Sequence, residues 1–163
     1  MLFDLPMFTL IHVVISVLGI IAGLIVVGGH IAGARLDGWT AFFLATTILT
    51  SVTGFGFPFT KVSPPHVVGV LSLVVLAVCL AARYWKQLEG GWRATYVATA
   101  VAALYLNVFV LVVQLFVKTP PLAQLAPTQQ EAPFAVTQAL VFSLFVWLGW
   151  AALRGFRVAK AGG

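Results

Sequence analysis

Long apolar segments alternate with short polar ones along this chain. A helix needs about 20 apolar residues to cross the hydrocarbon core of a bilayer, and about 17 is the lower limit. Five segments reach that length, and none of them contains Asp, Glu, Lys or Arg. They cover residues 8–29, 39–57, 66–82, 94–117 and 134–153. The pattern predicts an all-α, polytopic integral membrane protein, in which five transmembrane helices form one bundle and one domain.

The amino-acid composition supports the same class. Hydrophobic residues make up 61% of the 163 positions and charged residues only 8%, whereas soluble domains contain about 25% charged residues. The net charge is +5, but the bases are scattered over several segments, which argues against binding of nucleic acid. The expected partner is therefore the lipid bilayer. The single cysteine, Cys79, lies inside an apolar segment and cannot form an internal disulfide.

The positions of the basic residues predict an orientation, because Lys and Arg collect on the cytoplasmic side of membrane proteins. Most basic residues lie in the connections after the first and third segments and in the C-terminal tail: Arg35, Arg83, Lys86, Arg93, Arg154, Arg157 and Lys160. The connections after the second and fourth segments contain only Lys61 and Lys118. We therefore expect the N-terminus outside, the C-terminus in the cytoplasm, and a bacterial inner membrane as the location. The first segment starts near Asp4 and has no basic flank, so we expect a retained span and not a cleaved signal.

Two connecting segments have unusual compositions. Residues 51–66 contain three prolines and two glycines, and they predict either a rigid outer turn or one wall of a site. Residues 118–133 contain four prolines, and they predict an ordered cap loop over the outer ends of the helices. We expect the fifth helix to start with Pro133 in its first turn, since a helix starting at the capping-box pattern of Thr128 and Glu131 would be broken there.

Gly19 and Gly23 form a small-xxx-small pair on the first predicted helix. Helices can approach closely at such a pair, because no side chain keeps the backbones apart. We expect the pair to pack against another helix of the same chain. The alternative is a homo-oligomer, or a contact with another membrane protein, through the same face.

Polar residues inside the apolar segments gather toward the predicted outer half. Thr46, Thr50 and Thr53 form a stripe along one helical face. Such hydroxyls can bond to their own backbone, but the stripe would also suit a polar-lined ligand site. The candidate ligand-binding residues are Thr50, Thr53, Asn107, Gln114, Gln138 and Glu131.

The histidines suggest a different kind of site. His12 and His66 fall at similar predicted depth on different helices, where two imidazoles would hold the iron of a haem b or another metal. Copper would add Met7, and zinc would need more ligands, of which only Glu131 is near. The other interpretation is that His12 is a hydrogen-bonded packing residue and that His66 and His30 are ordinary interfacial residues. His30 lies near the opposite end without a second histidine to pair with it.

Sequence motifs of catalysis are missing, since the chain contains no phosphate-binding loop, HExxH or nucleophile elbow. The predicted function is therefore non-enzymatic: an accessory subunit, or a module that binds a small molecule in the outer half of the bundle. The first alternative is a b-type haem or metal protein using His12 and His66. The second alternative is a small channel or transporter along the threonine stripe.

Overall fold

The structure is a computed structural model that describes residues 5–58 and 64–161, with side chains for 6–58 and 64–156. These ranges are helical and contain no strand, as predicted. The helices are α1 (Leu5–Ile31), α2 (Asp37–Gly54), α3 (Pro64–Leu80), α4 (Trp92–Lys118), the short α5 (Pro120–Leu125) and α6 (Ala132–Ala161). A single π-helical turn, Ala81–Trp85, extends α3. The predicted start of the last helix is confirmed, because Pro133 lies in the first turn of α6.

Four helices in the described ranges are long and apolar enough to cross a membrane. They are Pro6–Ile31, Pro64–Trp85, Trp92–Lys118 and Ala132–Phe156. This finding confirms the class of membrane-embedded helical bundle. The fifth predicted span corresponds to α2, an 18-residue helix of the same bundle. Its hydropathy is lower because it begins at Asp37 and carries six hydroxyl side chains, so α2 is not among the four, and the fifth span stays a prediction.

The two faces of α2 are inverted relative to a helix of a soluble protein. Its buried side includes three threonines, Thr40, Thr46 and Thr47, beside two apolar residues. Its exposed side is apolar and carries Trp39, Phe42, Leu49 and Val52. Exposed apolar side chains suit contact with lipid, while hydroxyls inside the bundle can find hydrogen-bond partners.

Consecutive long helices run antiparallel. Helices α1 to α4 form a ring, and α6 packs outside it against α1 and α4. We call the end at which α1 begins and α2 ends the His12 end, and the opposite end the His30 end. The cap loop between α4 and α6 lies at the His12 end and contains α5. Phe116 on α4 and Phe134 on α6 pack edge to face beside it, with ring centroids 5.3 Å apart.

Close approach at glycines makes the His30 half of the ring tight. A Cβ atom on Gly23 would lie 2.6 Å from Leu104 Cδ1 and 2.9 Å from Phe43 Cε2. A Cβ atom on Gly19 would lie 3.1 Å from Thr46 Oγ1. The glycine pair therefore packs within the chain, where α1 meets α2 and α4. A homo-oligomer or partner contact through this pair stays a prediction.

A buried polar cluster braces the His30 end. The Arg83 guanidinium is buried in the π turn, and its Nη2 donates to the Asp37 carboxylate at the start of α2. The same guanidinium lies over the Tyr96 ring, 5.1 Å from its centroid. The Tyr96 hydroxyl is hydrogen-bonded to His30 Nε2 at 3.1 Å. The cluster joins α1, α2, the π turn and α4, and it gives His30 a structural partner.

Among the described glycines, Gly155 on α6 has the nearest backbone neighbours on another helix. A Cβ atom there would overlap the Ile31 carbonyl oxygen and lie 2.6 Å from the His30 carbonyl oxygen. Backbone atoms cannot turn aside as a side chain can. The position therefore fixes how α6 lies against the end of α1.

We expect Gly155→Ala to destabilise the protein by about 1–3 kcal/mol, as overpacking of a core does. The matched control is Gly149→Ala on the same helix, where the new Cβ would lie 3.6 Å from Val101 Cγ1, an ordinary contact. That control should be neutral, or gain up to about 1 kcal/mol from the better helix propensity of alanine. Thermal unfolding in one detergent, followed by circular dichroism, measures both variants. Equal melting temperatures for the two variants would contradict the packing described for α6.

Candidate functional site

A cavity of about 540 Å³ lies inside the ring of α1 to α4, in the His12 half. All four helices contribute to its wall. The polar or charged side chains that line it are Thr9, His12, Ser16, Thr47, Thr50, Ser51, His66, Ser72, Asn107, Gln114, Lys118 and Thr119. The remaining lining residues are apolar side chains, prolines and glycines. The cavity thus combines an apolar wall with scattered hydrogen-bonding groups.

Helical periodicity explains which side chains reach the cavity. On α1 the lining residues recur every three or four positions, from Thr9 through His12 and Ser16 to Ile20, so they share one face. The cavity ends at the level of Ile20, close to the point where Gly19 brings α1 against α2. Beyond that level the space is filled by buried apolar side chains, among them Ala22, Val26, Phe43, Leu76 and Leu104.

The cavity is bordered by apolar residues where α1 and α4 face each other. Val13 and Val17 on α1, and Leu111 and Leu115 on α4, line the cavity and are also exposed. In a bilayer these side chains would lie against lipid. The cavity is therefore reached along a seam that is itself apolar.

The segment after α2 forms part of the cavity wall. Gly56 allows close approach, because a Cβ atom there would lie 2.8 Å from Phe8 Cζ. Phe57 packs edge to face against His12, with ring centroids 5.1 Å apart, and both line the cavity. Residues 51–58 therefore serve as turn and wall together, whereas residues 59–63, with Lys61, lie outside the described part of the chain.

His12 is held in place by α2. Its Nδ1 lies 2.8 Å from Thr53 Oγ1, and the Thr53 hydroxyl donates to the Leu49 carbonyl at 2.7 Å. Because that hydrogen is used, the Thr53 oxygen accepts from Nδ1–H. The bond assigns the proton to Nδ1 and leaves the lone pair on Nε2.

The structure brings most of the predicted site residues together. His12, His66, Thr50, Asn107 and Gln114 all line the one cavity. Thr53 does not line it but positions His12. Whether any of these residues binds a ligand stays a prediction.

Three candidates lie elsewhere. Gln138 on α6 donates from Nε2 to the Phe109 carbonyl at 3.3 Å, and it joins α6 to α4. Glu131 is exposed in the cap loop, where it accepts from Thr128 Oγ1 at 2.7 Å. Met7, the proposed partner for copper, is exposed and is not among the lining residues.

Sequence reasoning missed two serines of the cavity. Ser16 follows His12 by four residues, which places it on the face of that histidine and was the available signal. Ser72 follows His66 by six residues, a spacing that puts it on a different face and gives no such signal. Serine in an apolar helix is a weak marker, because its hydroxyl commonly bonds to its own backbone, as Ser16 does to the His12 carbonyl at 2.7 Å.

The charge in the cavity lies at its mouth. Lys118, at the end of α4, is the one charged side chain among the lining residues that the structure describes. Asn107 is eleven positions earlier on α4, which places it about 16 Å deeper at about 1.5 Å per residue. In the described ranges, no three side chains among His, Cys, Asp and Glu come together as a metal site. The two cavity histidines are the metal-ligand candidates that share one space.

These features define a class: a membrane-embedded helical bundle with a mixed apolar and polar cavity in one half. Comparison of the chain with protein-family models, with curated proteins and with solved structures found no match. Any functional assignment therefore depends on the chemistry of the cavity.

The cap loop contains a carboxylate, that of Glu131, whose titration can be measured. The hydrogen bond from the Thr128 hydroxyl lowers the pKa of Glu131, and backbone N–H groups act in the same direction. Because the folded-state pKa is depressed, the stabilisation of the loop is present above the ordinary pKa of glutamate and is lost as the pH falls through the lowered value. We expect Thr128→Ala to raise the Glu131 pKa toward its ordinary value, and Thr128→Ser, which keeps the hydroxyl, to leave it low.

Carboxyl carbon chemical shifts, recorded by NMR across the acidic range, give this pKa. If Thr128→Ala and the original protein titrate alike, the hydroxyl has no influence on Glu131 and the capping interaction is wrong.

Proposed function

We propose that this protein binds a small apolar molecule in the His12-half cavity and does not transform it. It would act as a ligand-binding module, alone or as an accessory subunit of a larger membrane assembly. The single observation behind the proposal is the cavity itself. Its volume of about 540 Å³ falls within the range of about 300–1,000 Å³ that is typical of ligand pockets, which are also mainly apolar with a few polar groups.

The absence of a catalytic arrangement among the lining residues supports binding over catalysis. Among the described residues, no Asp, Glu or Cys lines the cavity. Nucleophilic catalysis needs a hydroxyl paired with a base, but Ser16 and Thr50 donate to backbone carbonyls four residues earlier. His12 is engaged with Thr53 through Nδ1.

The closed floor of the cavity supports binding over conduction. A channel needs a continuous path, and the threonine stripe on α2 would have to line it. Thr46, the stripe residue at the level of the floor, is buried and donates to its own helix, and beyond it the bundle is filled by buried apolar side chains. The stripe therefore does not continue as a lined path into the His30 half.

A haem protein is a second candidate function, because both proposed axial ligands, His12 and His66, line the same cavity. The hydrogen bond of His12 Nδ1 leaves Nε2 as the nitrogen for a metal, as is common for metal-bound histidine. An absorption spectrum of protein purified from haem-replete cells separates the two candidates. A Soret band lost in His66→Ala would favour haem, and colourless protein excludes it.

The membrane topology belongs to the same proposal. We infer that α2 also crosses the bilayer, because it returns the chain from the His30 end to the His12 end and turns its apolar face outward. Five crossings then place the termini on opposite sides. The distribution of Lys and Arg puts the N-terminus outside and the C-terminus in the cytoplasm of a bacterial inner membrane.

Reporter fusions at the two termini test this topology. An enzyme active only outside the cytoplasm should report at the N-terminus, and a fluorescent protein that folds only in the cytoplasm should report at the C-terminus. If both termini report from one compartment, the number of crossings is even, and α2 or another helix does not cross the bilayer.

The binding proposal is tested by filling the cavity. We expect Ser16→Phe to reduce binding of tritiated 2-methylnaphthalene at least tenfold, because the new ring occupies the ligand volume. Equilibrium binding to the protein in nanodiscs measures this, with empty nanodiscs giving the lipid background. The matched control is Ser143→Phe, since Ser143 makes the same bond to the carbonyl four residues earlier but is exposed on α6.

Saturable binding that survives in Ser143→Phe and disappears in Ser16→Phe supports the proposal. If the unaltered protein binds no more probe than empty nanodiscs do, the cavity is not a site for small apolar molecules.

A further inference from the structure

One threonine at the cavity floor behaves differently from its neighbours. Thr40, Thr46, Thr50 and Thr53 each donate a hydrogen bond to the carbonyl four residues earlier on α2. Thr47 is only 2% exposed, yet its Oγ1 has no hydrogen-bond partner in the part of the chain that is described. Its side chain lines the cavity. A buried hydroxyl of this kind normally bonds to its own helix.

A second unpartnered group lies beside Thr47. The amide Nδ2 of Asn107 on α4 is buried and also has no hydrogen-bond partner among the described residues, and Asn107 lines the cavity too. Both atoms lie close to the place that a Cβ atom on Gly19 would occupy, at 3.4 Å for Thr47 Oγ1 and 3.5 Å for Asn107 Nδ2. Two helices thus present unpaired donors at one point, where the third helix has no side chain.

These donors can be turned toward the cavity without moving the backbone. The hydroxyl of Thr47 moves by rotation about χ1, and the amide of Asn107 by rotation about χ2, which is a soft torsion. Unpaired buried donors are costly, so a ligand that supplies an acceptor would be favoured at this place. The matching group is an oxygen with two lone pairs, such as a carbonyl.

The charge distribution argues that the group at the floor is neutral. Within residues 5–58 and 64–161, Lys118 is the one charged residue that lines the cavity, and it lies about 16 Å from Asn107 along α4, at about 1.5 Å per residue. A carboxylate or phosphate at the floor would lack a counter-charge in a low-dielectric environment, which is strongly unfavourable. An uncharged carbonyl needs only the two hydrogen bonds.

We infer that the cavity selects a neutral, carbonyl-bearing apolar molecule, such as a ketone or quinone, whose oxygen accepts hydrogen bonds from Thr47 and Asn107. The apolar body of the ligand then lies along the walls toward the mouth. This inference rests on the proposed binding function and adds the chemistry of the ligand to it.

A pair of probes that differ only in their carbonyls tests the inference. Menadione is 2-methylnaphthalene with two ring carbonyls, so the two molecules share one apolar skeleton. We expect Thr47→Val, and separately Asn107→Leu, to weaken binding of tritiated menadione about five- to tenfold, the loss that one hydrogen bond gives. Binding of 2-methylnaphthalene should be unchanged or tighter in both variants.

The matched control is Thr46→Val, which makes the same substitution at the neighbouring position. Thr46 is buried and donates to its own helix, and it is not among the lining residues, so menadione affinity should stay unchanged. Menadione can also react with thiols, but Cys79 is fully buried in the core of the His30 half. In the unaltered protein, the infrared band of ¹³C-labelled menadione carbonyls should move to lower wavenumber on binding, and Thr47→Val should reduce that shift.

The possible outcomes distinguish failure of carbonyl recognition from failure of the proposed binding function. If both probes bind and the Thr47 and Asn107 variants change neither affinity, carbonyl recognition is wrong while the binding function stands. If the variants weaken both probes equally, they act by collapse of the cavity, and carbonyl recognition is again wrong. If neither probe binds, the binding function itself is wrong and the inference fails with it.

Discussion

Close packing at a few glycines determines the shape of this bundle. At Gly19 and Gly23 of α1, side chains of α2 and α4 occupy the space that a Cβ atom would need, and at Gly155 the last helix meets the backbone at the end of α1. Apolar side chains gain nothing by leaving lipid for another apolar surface, so van der Waals contact of this kind has to hold the helices together. Because these contacts lie from the middle of the bundle to the His30 end, the helices are tight there and leave space in the His12 half.

The polar groups of the bundle divide into two kinds. Most have partners: the buried guanidinium of Arg83 has Asp37 and Tyr96, and His12 has Thr53. These groups brace helices against each other at both ends. Thr47 and Asn107 differ from the other residues with an unpaired buried atom, such as His30, Arg83 and Gln138, in that they line the cavity and lie beside one point on α1. The inferred carbonyl ligand would bond to these two donors.

Helix positions could be predicted well where lipid contact alone decides them. The fourth segment was predicted at 94–117 and is Trp92–Lys118. The last segment was predicted to end at Leu153, but α6 continues to Ala161, because hydropathy marks the edge of the lipid and not the end of a helix. The cap loop of residues 118–133 contains the short helix Pro120–Leu125, which has no apolar run long enough to predict it.

The candidate site was predictable in part. The grouping of His12, His66, Thr50, Asn107 and Gln114 could be predicted, because antiparallel helices of known length place equal depths side by side. Gln138 fell at the same depth but faces the α4 backbone, and depth alone cannot specify the direction of a side chain. Glu131 lies directly before the start of α6 in the sequence, but a local hydrogen bond to Thr128 keeps its side chain in the loop.

The sequence by itself determined that this chain is a helical membrane protein, and it determined which residues share a depth, because long uncharged segments have no stable alternative to helices in lipid. Only the tertiary structure decided which of those residues face each other. Rotation of each helix about its axis is set by contacts between segments far apart in the chain, such as Gly19 with Thr46 and Asn107, and these contacts leave no periodic signal in either segment. The cavity exists because those rotations bring polar faces of four helices together above a closely packed floor.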